Sequence, residues 1–179
     1  MIRYNAPLSV NKWSRPGKPL AELRAAVVHS TLAPGQDIRV TRKWWEDRKS
    51  GTNGYGGAHR LISSTETLYT ILFSEEAYHV GTLTPTPFAE KFIGHDPNRF
   101  TVGIELCWEQ ENAEPTQAQW DELVLELADL CRENPDLIIT THFHITGMLS
   151  YWGDHPCHPW FAREPGELAR LQCEVRERS

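Results

Sequence analysis

Residues 115–134, PTQAQWDELVLELADLCREN, form the clearest helical pattern in the chain and indicate its fold class. Thr116 is placed to cap the helix, and Gln119 completes a capping box. One apolar stripe recurs at helical spacing: Trp120, Leu123, Val124, Leu127, Leu130 and Cys131. We expect the acidic residues on the other face to be solvated. Because a helix with one apolar face must pack on another layer, the rest of the chain should supply that layer.

Short apolar runs typical of strands lie on both sides of this helix. They are RAAVVHS (24–30), AHRLIS (58–63), ETLYTILF (66–73), TVGIELCW (101–108) and LIITTH (137–142). A second helix is predicted over residues 38–49, with Asp37 as its N-cap, and EPGELARLQCEV predicts a third. Residues 81–99, rich in Pro, Thr and Gly, are predicted as a long loop. This order predicts an α/β fold with a central mixed β-sheet flanked by α-helices.

The bulk properties predict a single globular domain and exclude several kinds of partner. The 179 residues are 40% hydrophobic and 23% charged, with a net charge of −6. Ten acids and one base, Arg132, lie between residues 104 and 136, which argues against a nucleic-acid partner. No apolar run is long enough to predict a membrane span, and MIRYNAPLSV has no visible secretory signal. We therefore expect synthesis in the cytoplasm, with reduced thiols.

Histidines at two strand ends indicate a metal site. His29 and His142 each close an apolar run, and strand ends are where loops and sites gather. A catalytic zinc ion needs three protein ligands and one open position, and it accepts histidine nitrogen and cysteine sulfur. Cys157 is the natural third ligand in the segment HFHITGMLSYWGDHPCHPWF (142–161). On spacing alone three rivals stay open: Asp154, His144 and His158.

Glu105 stands out inside the run TVGIELCW. A charged side chain within an apolar strand is unfavourable unless it faces a site, so this position is a candidate general base. The alternative is that Glu105 points outward from an edge strand. The pattern alone leaves both interpretations open.

Seven fragments, taken in order, carry a resemblance to a known family. They are SRPG (14–17), VVHST (27–31), AHRLI (58–62), YHVG (78–81), VGIEL (102–106), THFHITG (141–147) and HPCHP (155–159). Over residues 13–161 the chain resembles the zinc-dependent N-acetylmuramoyl-L-alanine amidases of phage endolysins and bacterial autolysins. That family shares its fold with the peptidoglycan recognition proteins. The resemblance implies this fold, and we expect residues 1–179 to form one catalytic domain. No wall-binding domain is visible after it, so we expect the chain to be either self-sufficient or the catalytic part of something longer.

The resemblance also implies a ligand set: one zinc ion per chain, bound by His29, His142 and Cys157. Two local features differ from most relatives. The loop between Gly147 and Cys157 is longer, and His158 stands between Cys157 and the proline that usually follows it directly.

Catalytic and substrate-binding roles are implied in the same way. Glu105 would activate water, and His155, where relatives often have lysine, would stabilise the oxyanion. Ala58 replaces a tyrosine that some relatives use, which leaves the proton transfer to Glu105. His59 and His79 match groove-lining positions and are expected to contact the substrate; the alternative for each is a packing histidine.

The activity implied is hydrolysis of the amide bond between N-acetylmuramic acid and L-alanine in bacterial peptidoglycan. The enzyme is expected to be a monomer that acts on the cell wall. Two other functions fit part of the pattern: a non-catalytic peptidoglycan-binding module, and a zinc peptidase that cuts within the stem peptide. The histidine and cysteine set favours an enzyme, because non-catalytic members of the fold lack it.

Overall fold

The computed structural model describes residues 1–147 and 156–179, and the elements below are those of the described residues. The strands are β1 (Ile2–Asn5), β2 (Ala25–Ser30), β3 (Arg60–Ile62), β4 (Glu66–Tyr69), β5 (Thr101–Leu106) and β6 (Ile138–Thr141). The helices are α1 (Ile38–Asp47), α2 (Pro87–Phe92), α3 (Gln117–Glu133), α4 (His142–Thr146), α5 (Pro159–Arg163) and α6 (Pro165–Arg178). No helix among them is long and apolar enough to cross a membrane.

The strands form one mixed sheet in the order β1-β4-β3-β5-β2-β6. The β3–β4 pair is antiparallel, and the other pairs in the described chain are parallel. β2 is buried along its whole length, and β5 is buried at every residue except Glu105, which is half-buried. Layers on both faces explain why these strands read as continuous apolar runs in the sequence. The expected α/β fold with a central mixed sheet is confirmed.

The core divides between the two faces of the sheet. Alternate residues of a strand point to opposite faces, and Ala26 and Val28 of β2 join one cluster while Ala25 and Val27 join another. The first cluster includes α3 and α6, and the second includes α2 and α4. His29 continues the Ala25–Val27 side of β2, so it points toward the layer that contains α4.

Several elements differ from the pattern-based prediction. β1 was not predicted, because its side chains are exposed and carry no apolar pattern; it is held by parallel pairing with β4. The predicted loop over residues 81–99 contains α2, which Thr86 caps and Pro87 begins. The helix predicted over residues 38–49 ends at Asp47 and continues as a 3-10 turn over Arg48–Ser50. The capping box at Thr116 and Gln119 is confirmed.

The acidic face of α3 is not wholly solvated, which corrects the sequence-based expectation. Glu122 and Glu126 are only 4% and 6% exposed. Arg3 Nε donates to Glu122 Oε1 at 2.7 Å, and Arg60 Nε donates to Glu126 Oε2 at 3.1 Å. Tyr69 also donates its hydroxyl to Glu126, at 2.9 Å. Because these partners come from distant strands, the helical pattern alone cannot reveal them.

Glu126→Gln should destabilise the fold by about 3 kcal/mol, because it leaves the mostly buried guanidinium of Arg60 without its carboxylate. The matched control is Glu133→Gln on the exposed side of the same helix, which should change stability little. Urea unfolding of the two variants and the wild type measures both effects. Equal stability of the two variants would contradict a structural role for the Arg60–Glu126 pair.

Candidate active site

The register of the two central strands places two of the expected site residues side by side. β2 and β5 run parallel, and His29 is paired in register with Glu105. Neighbouring strands lie about 4.8 Å apart, so paired residues point to the same face at short range. Glu105 therefore lies on a central strand and faces the site. It does not point outward from an edge strand.

His29, His142 and Cys157 come together at this end of the sheet. One ligand atom from each lies within 4.8 Å of the others. Cys157 Sγ is 3.6 Å from His29 Nδ1, and the rings of His29 and His142 are 5.1 Å apart between centroids. This is the one group of three metal-ligating side chains of this kind found within residues 1–147 and 156–179.

Two contacts from backbone N–H groups hold the cluster together, and no local sequence pattern indicates either of them. The Ser30 N–H, next to His29, donates to Cys157 Sγ at 3.5 Å. The Phe143 N–H, next to His142, donates to the carbonyl of Cys157 at 2.7 Å. The segment around Cys157 is thus anchored to both histidine-bearing segments, which positions three donors before any ion binds.

The electrostatics of the cluster suit a metal ion. Burial lowers the pKa of His142 to about 4 and holds the pKa of His29 well below its usual range, so both rings are neutral and keep a free lone pair. Burial raises the pKa of the Cys157 thiol, which would lose its proton when a cation binds. Two imidazole nitrogens and one sulfur suit zinc better than magnesium or calcium. The donor set therefore fits a catalytic zinc site with one open position.

Glu105 is an incompletely partnered acid beside this cluster. Its Oε2 is buried and has no hydrogen-bond partner among the described residues. Burial raises the pKa of the carboxyl to about 8. In the metal-free protein this carboxyl therefore keeps its proton near neutral pH, and it can act as a general base only in its ionised form.

A cleft of about 1480 Å³ opens over the cluster. His29, Glu105, His142 and Cys157 all line it. Its lining also includes Lys18, Trp44, Arg48, Tyr55, Asp96 and Arg99. A cleft of this size accommodates a ligand of several sugar or amino-acid units, and the candidate metal ligands are accessible from it.

Two of the rival ligands fall at other places. His144 is exposed, and its Nδ1 lies 3.2 Å from the hydroxyl of Thr141. His158 is buried against Phe161, where no described residue hydrogen-bonds to either ring nitrogen. Neither belongs to the metal-ligating group. Asp154 and His155 lie outside the described residues.

His59 has a different environment from the groove-lining place expected from the sequence. It is 0% exposed. Its Nδ1 accepts from the Gly103 N–H at 2.9 Å, and its Nε2 lies 2.9 Å from the carbonyl of Glu75. With no exposed surface and both ring nitrogens used, His59 links the segment before β3 to Gly103 of β5 and to the loop at Glu75, which matches the packing alternative.

His79 does line the cleft, but its ring nitrogens also have partners inside the protein. Nδ1 lies 2.9 Å from His29 Nε2, and Nε2 lies within 3.3 Å of two oxygens of Thr101. The motif YHVG indicates His79 as a site residue. Its contact with His29 depends on how the fold brings the two segments together, so no local sequence pattern indicates it.

Comparison with known proteins finds similar sequences and similar folds. The family model described as N-acetylmuramoyl-L-alanine amidase matches residues 19–163. A curated relative, "N-acetylmuramoyl-L-alanine amidase BlyA" of Bacillus subtilis (strain 168), is 25% identical over 150 residues, which cover 79% of this chain and 40% of the relative. A "Probable N-acetylmuramoyl-L-alanine amidase" of Bacillus licheniformis is 27% identical over 173 residues, which cover 94% of this chain and 45% of the relative. The chain spans less than half the length of these relatives.

Solved structures share the fold. The structure of PlyL superposes with a TM-score of 0.67 at 15% identity and covers 98% of this chain and 97% of its own. The structure of the catalytic domain of XlyA superposes with a TM-score of 0.63 at 18% identity. The match covers 95% of this chain and 97% of the XlyA chain. The amidase-like fold implied by the sequence resemblance is therefore confirmed.

The buried carboxyl of Glu105 should make the metal-free protein less stable as pH rises. The folded protein keeps this proton up to about pH 8, whereas the unfolded chain releases it near pH 4.5. The folded state thus binds more protons between these values, and its free energy of unfolding falls across the window. Glu105→Gln should remove this loss and be more stable than the wild type at pH 8, with little difference at pH 4.

Urea unfolding of the metal-free proteins at both pH values measures this effect. Glu111→Gln, at an exposed position, is the control and should follow the wild type. A wild-type protein that matches Glu105→Gln at pH 8 would show that Glu105 is solvated in the folded state.

Proposed function

Because the chain belongs to the N-acetylmuramoyl-L-alanine amidase family, we propose that it is a zinc enzyme acting on bacterial peptidoglycan. It hydrolyses the amide bond between the lactyl group of N-acetylmuramic acid and L-alanine. The observation that carries this proposal is the convergence of His29, His142 and Cys157 beside Glu105 at the floor of one cleft.

Three side chains would hold the zinc ion. His29 and His142 supply neutral nitrogens, and Cys157 supplies a thiolate that accepts the Ser30 N–H. When bound, zinc supplies Lewis acidity, which lowers the pKa of water to about 7 and polarises the carbonyl of the amide. The cleft leaves the remaining coordination position accessible to substrate and water.

Glu105 moves the proton in this proposal. Its free Oε2 accepts a proton from the attacking water, and the same carboxyl then delivers a proton to the leaving nitrogen of L-alanine. The amine must be protonated to leave, because an amide nitrogen is a poor leaving group. A cation held by the three neighbouring ligands would favour the ionised form of Glu105, in which the carboxylate can take the proton from water.

His155 is proposed as the donor that stabilises the negative charge forming on the carbonyl oxygen. It lies two residues before Cys157, where relatives often have lysine. A neutral imidazole still carries one N–H, so it can serve as a donor. A donor in this role acts by being held where the charge develops.

The digestion of purified peptidoglycan tests the proposed reaction. The zinc-loaded protein should release new amino termini on L-alanine, and chelation should abolish the release. Cys157→Ala should lose both zinc and activity, because a three-ligand site has no spare donor. Cys173→Ala, which changes an exposed cysteine, is the control and should keep both.

Other products would identify other functions. New amino termini at a different position in the stem peptide would show a peptidase. Binding to peptidoglycan without any new termini would show a binding module. Full zinc retention in Cys157→Ala would place the third ligand elsewhere.

Glu105→Gln should lower turnover by roughly 10²–10⁴-fold, with zinc content unchanged. Glutamine keeps the shape and one oxygen but cannot take the proton. Turnover on purified peptidoglycan, with zinc measured in the same samples, checks this. Turnover near the wild-type value would remove Glu105 from the mechanism.

His155→Ala should lower turnover by roughly 10²–10³-fold while zinc is retained, which is a typical loss for one oxyanion donor. His155→Lys should recover part of the loss, because lysine supplies a donor at the same place. Activity of His155→Ala equal to wild type would leave His155 without a catalytic role. Loss of zinc would make it a ligand.

A further inference from the structure

The imidazole of His29 has two nitrogens with different surroundings. Nδ1 faces Cys157, with Sγ at 3.6 Å, and so belongs to the candidate metal site. Nε2 points the other way and lies 2.9 Å from Nδ1 of His79. A hydrogen bond between two imidazoles needs one donor and one acceptor, so the protons on the two rings are coupled.

The partners of His79 Nε2 determine which of the two rings donates the hydrogen bond between them. His79 Nε2 lies 3.3 Å from the backbone carbonyl of Thr101 and 3.1 Å from its Oγ1. The carbonyl can only accept. The Thr101 hydroxyl donates its own hydrogen to the Pro97 carbonyl at 2.9 Å, so toward His79 it also accepts. His79 must therefore carry its proton on Nε2, which leaves Nδ1 as an acceptor.

The direction of these hydrogen bonds then determines which nitrogen of His29 carries the proton. His79 Nδ1 can only accept, so His29 must donate from Nε2. A neutral imidazole has a single N–H, and His29 Nδ1 is therefore left with a bare lone pair. That lone pair is on the side of Cys157, where a metal ion would bind.

The fold holds His79 in this position from two sides. Asn98 Oδ1 accepts the backbone N–H groups of His79 and Val80 at 3.1 and 3.0 Å. The ring lies directly over Gly103 of β5, where an added Cβ would fall 2.6 Å from His79 Cγ. Real Cβ atoms do not approach this closely, so any larger residue at 103 would displace the ring.

We propose that His79 is a positioning residue: it accepts the Nε2–H of His29 and so presents the bare Nδ1 of His29 to the metal. The Thr101 carbonyl and hydroxyl, with the Pro97 carbonyl behind them, orient His79 for this task. This role is separate from the substrate contact expected from the sequence, which stays a prediction. The proposal rests on the metal site of the proposed function, but the arrangement of protons on His29 and His79 is present in the metal-free protein.

Loss of such an outer hydrogen bond has a measurable consequence. Removing the partner of a metal-bound histidine typically lowers metal affinity or activity by about 10–100-fold. In His79→Leu the Nε2–H of His29 would have no acceptor, and the ring could rotate or move its proton to Nδ1. In His79→Asn the amide oxygen lies near the former position of Nδ1, so an acceptor is kept.

Nuclear magnetic resonance of the metal-free wild type tests the proton arrangement without any variant. With ¹⁵N-labelled histidine, both His29 and His79 should be protonated on Nε2. A scalar coupling should connect His29 Nε2 with His79 Nδ1 through the hydrogen bond. A proton on Nδ1 of either ring would overturn the proposal.

Zinc affinity, measured by competition with a chelator, tests the consequence. The dissociation constant should rise about 10–100-fold in His79→Leu, and His79→Asn should recover part of this loss. His95→Leu is the control, because His95 is exposed and pairs with Glu90 outside the site. Equal affinity of His79→Leu and wild type would overturn the proposal, and so would a His79→Asn protein as weak as His79→Leu.

A second variant covers the case in which His79→Leu does not fold. Gly103→Ala keeps both histidines and should weaken zinc binding by displacing the His79 ring. Unchanged affinity in Gly103→Ala would again overturn the proposal. A wild-type protein that binds no zinc would overturn the proposed function, whereas normal zinc binding that is insensitive to residues 79 and 103 would overturn only the role of His79.

Discussion

The parallel pairing of β2 with β5 is the constraint on which the rest of the site depends. Its register sets His29 beside Glu105 and Val27 beside Gly103. A slip of one residue would turn the side chains of a strand to its opposite face, and the buried faces of these strands forbid that. The pairing thus fixes a metal ligand, a base and the glycine that leaves room for the His79 ring.

Burial shifts the pKa values of the site residues, and it also lowers the stability of the protein when no cation is bound. The same desolvation that keeps His29 and His142 neutral also leaves Glu105 with a raised pKa and an oxygen without a partner. A cation in the centre of these groups would offset the unfavourable burial. The proposed zinc ion therefore accounts at once for the donor set, the neutral rings and the carboxyl oxygen of Glu105 that has no partner.

Local patterns predict the central strands and the long helix but miss β1 and α2, and the family resemblance supplies the candidate ligands. The runs around β2, β5 and β6 were visible because buried strands are continuously apolar, and Glu105 was visible because it interrupts one of them. Contacts between distant segments were not visible. Glu126 of α3 bonds to Arg60, and His79 bonds to His29, only because the fold brings these segments together. The sequence motif indicates His79 as a site residue, but it does not show that the ring hydrogen-bonds to His29.

The most direct test of the central claim is X-ray absorption at the zinc edge of the zinc-loaded protein. The account predicts one zinc ion with one sulfur at about 2.3 Å and two imidazole nitrogens at about 2.0–2.1 Å, with a light atom in the remaining position. This spectrum would match a site made of one cysteine and two histidines, and its loss of the sulfur neighbour in Cys157→Ala would assign that cysteine. A spectrum without a sulfur neighbour, or with a fully protein-ligated ion and no open position, would contradict a catalytic site built from His29, His142 and Cys157.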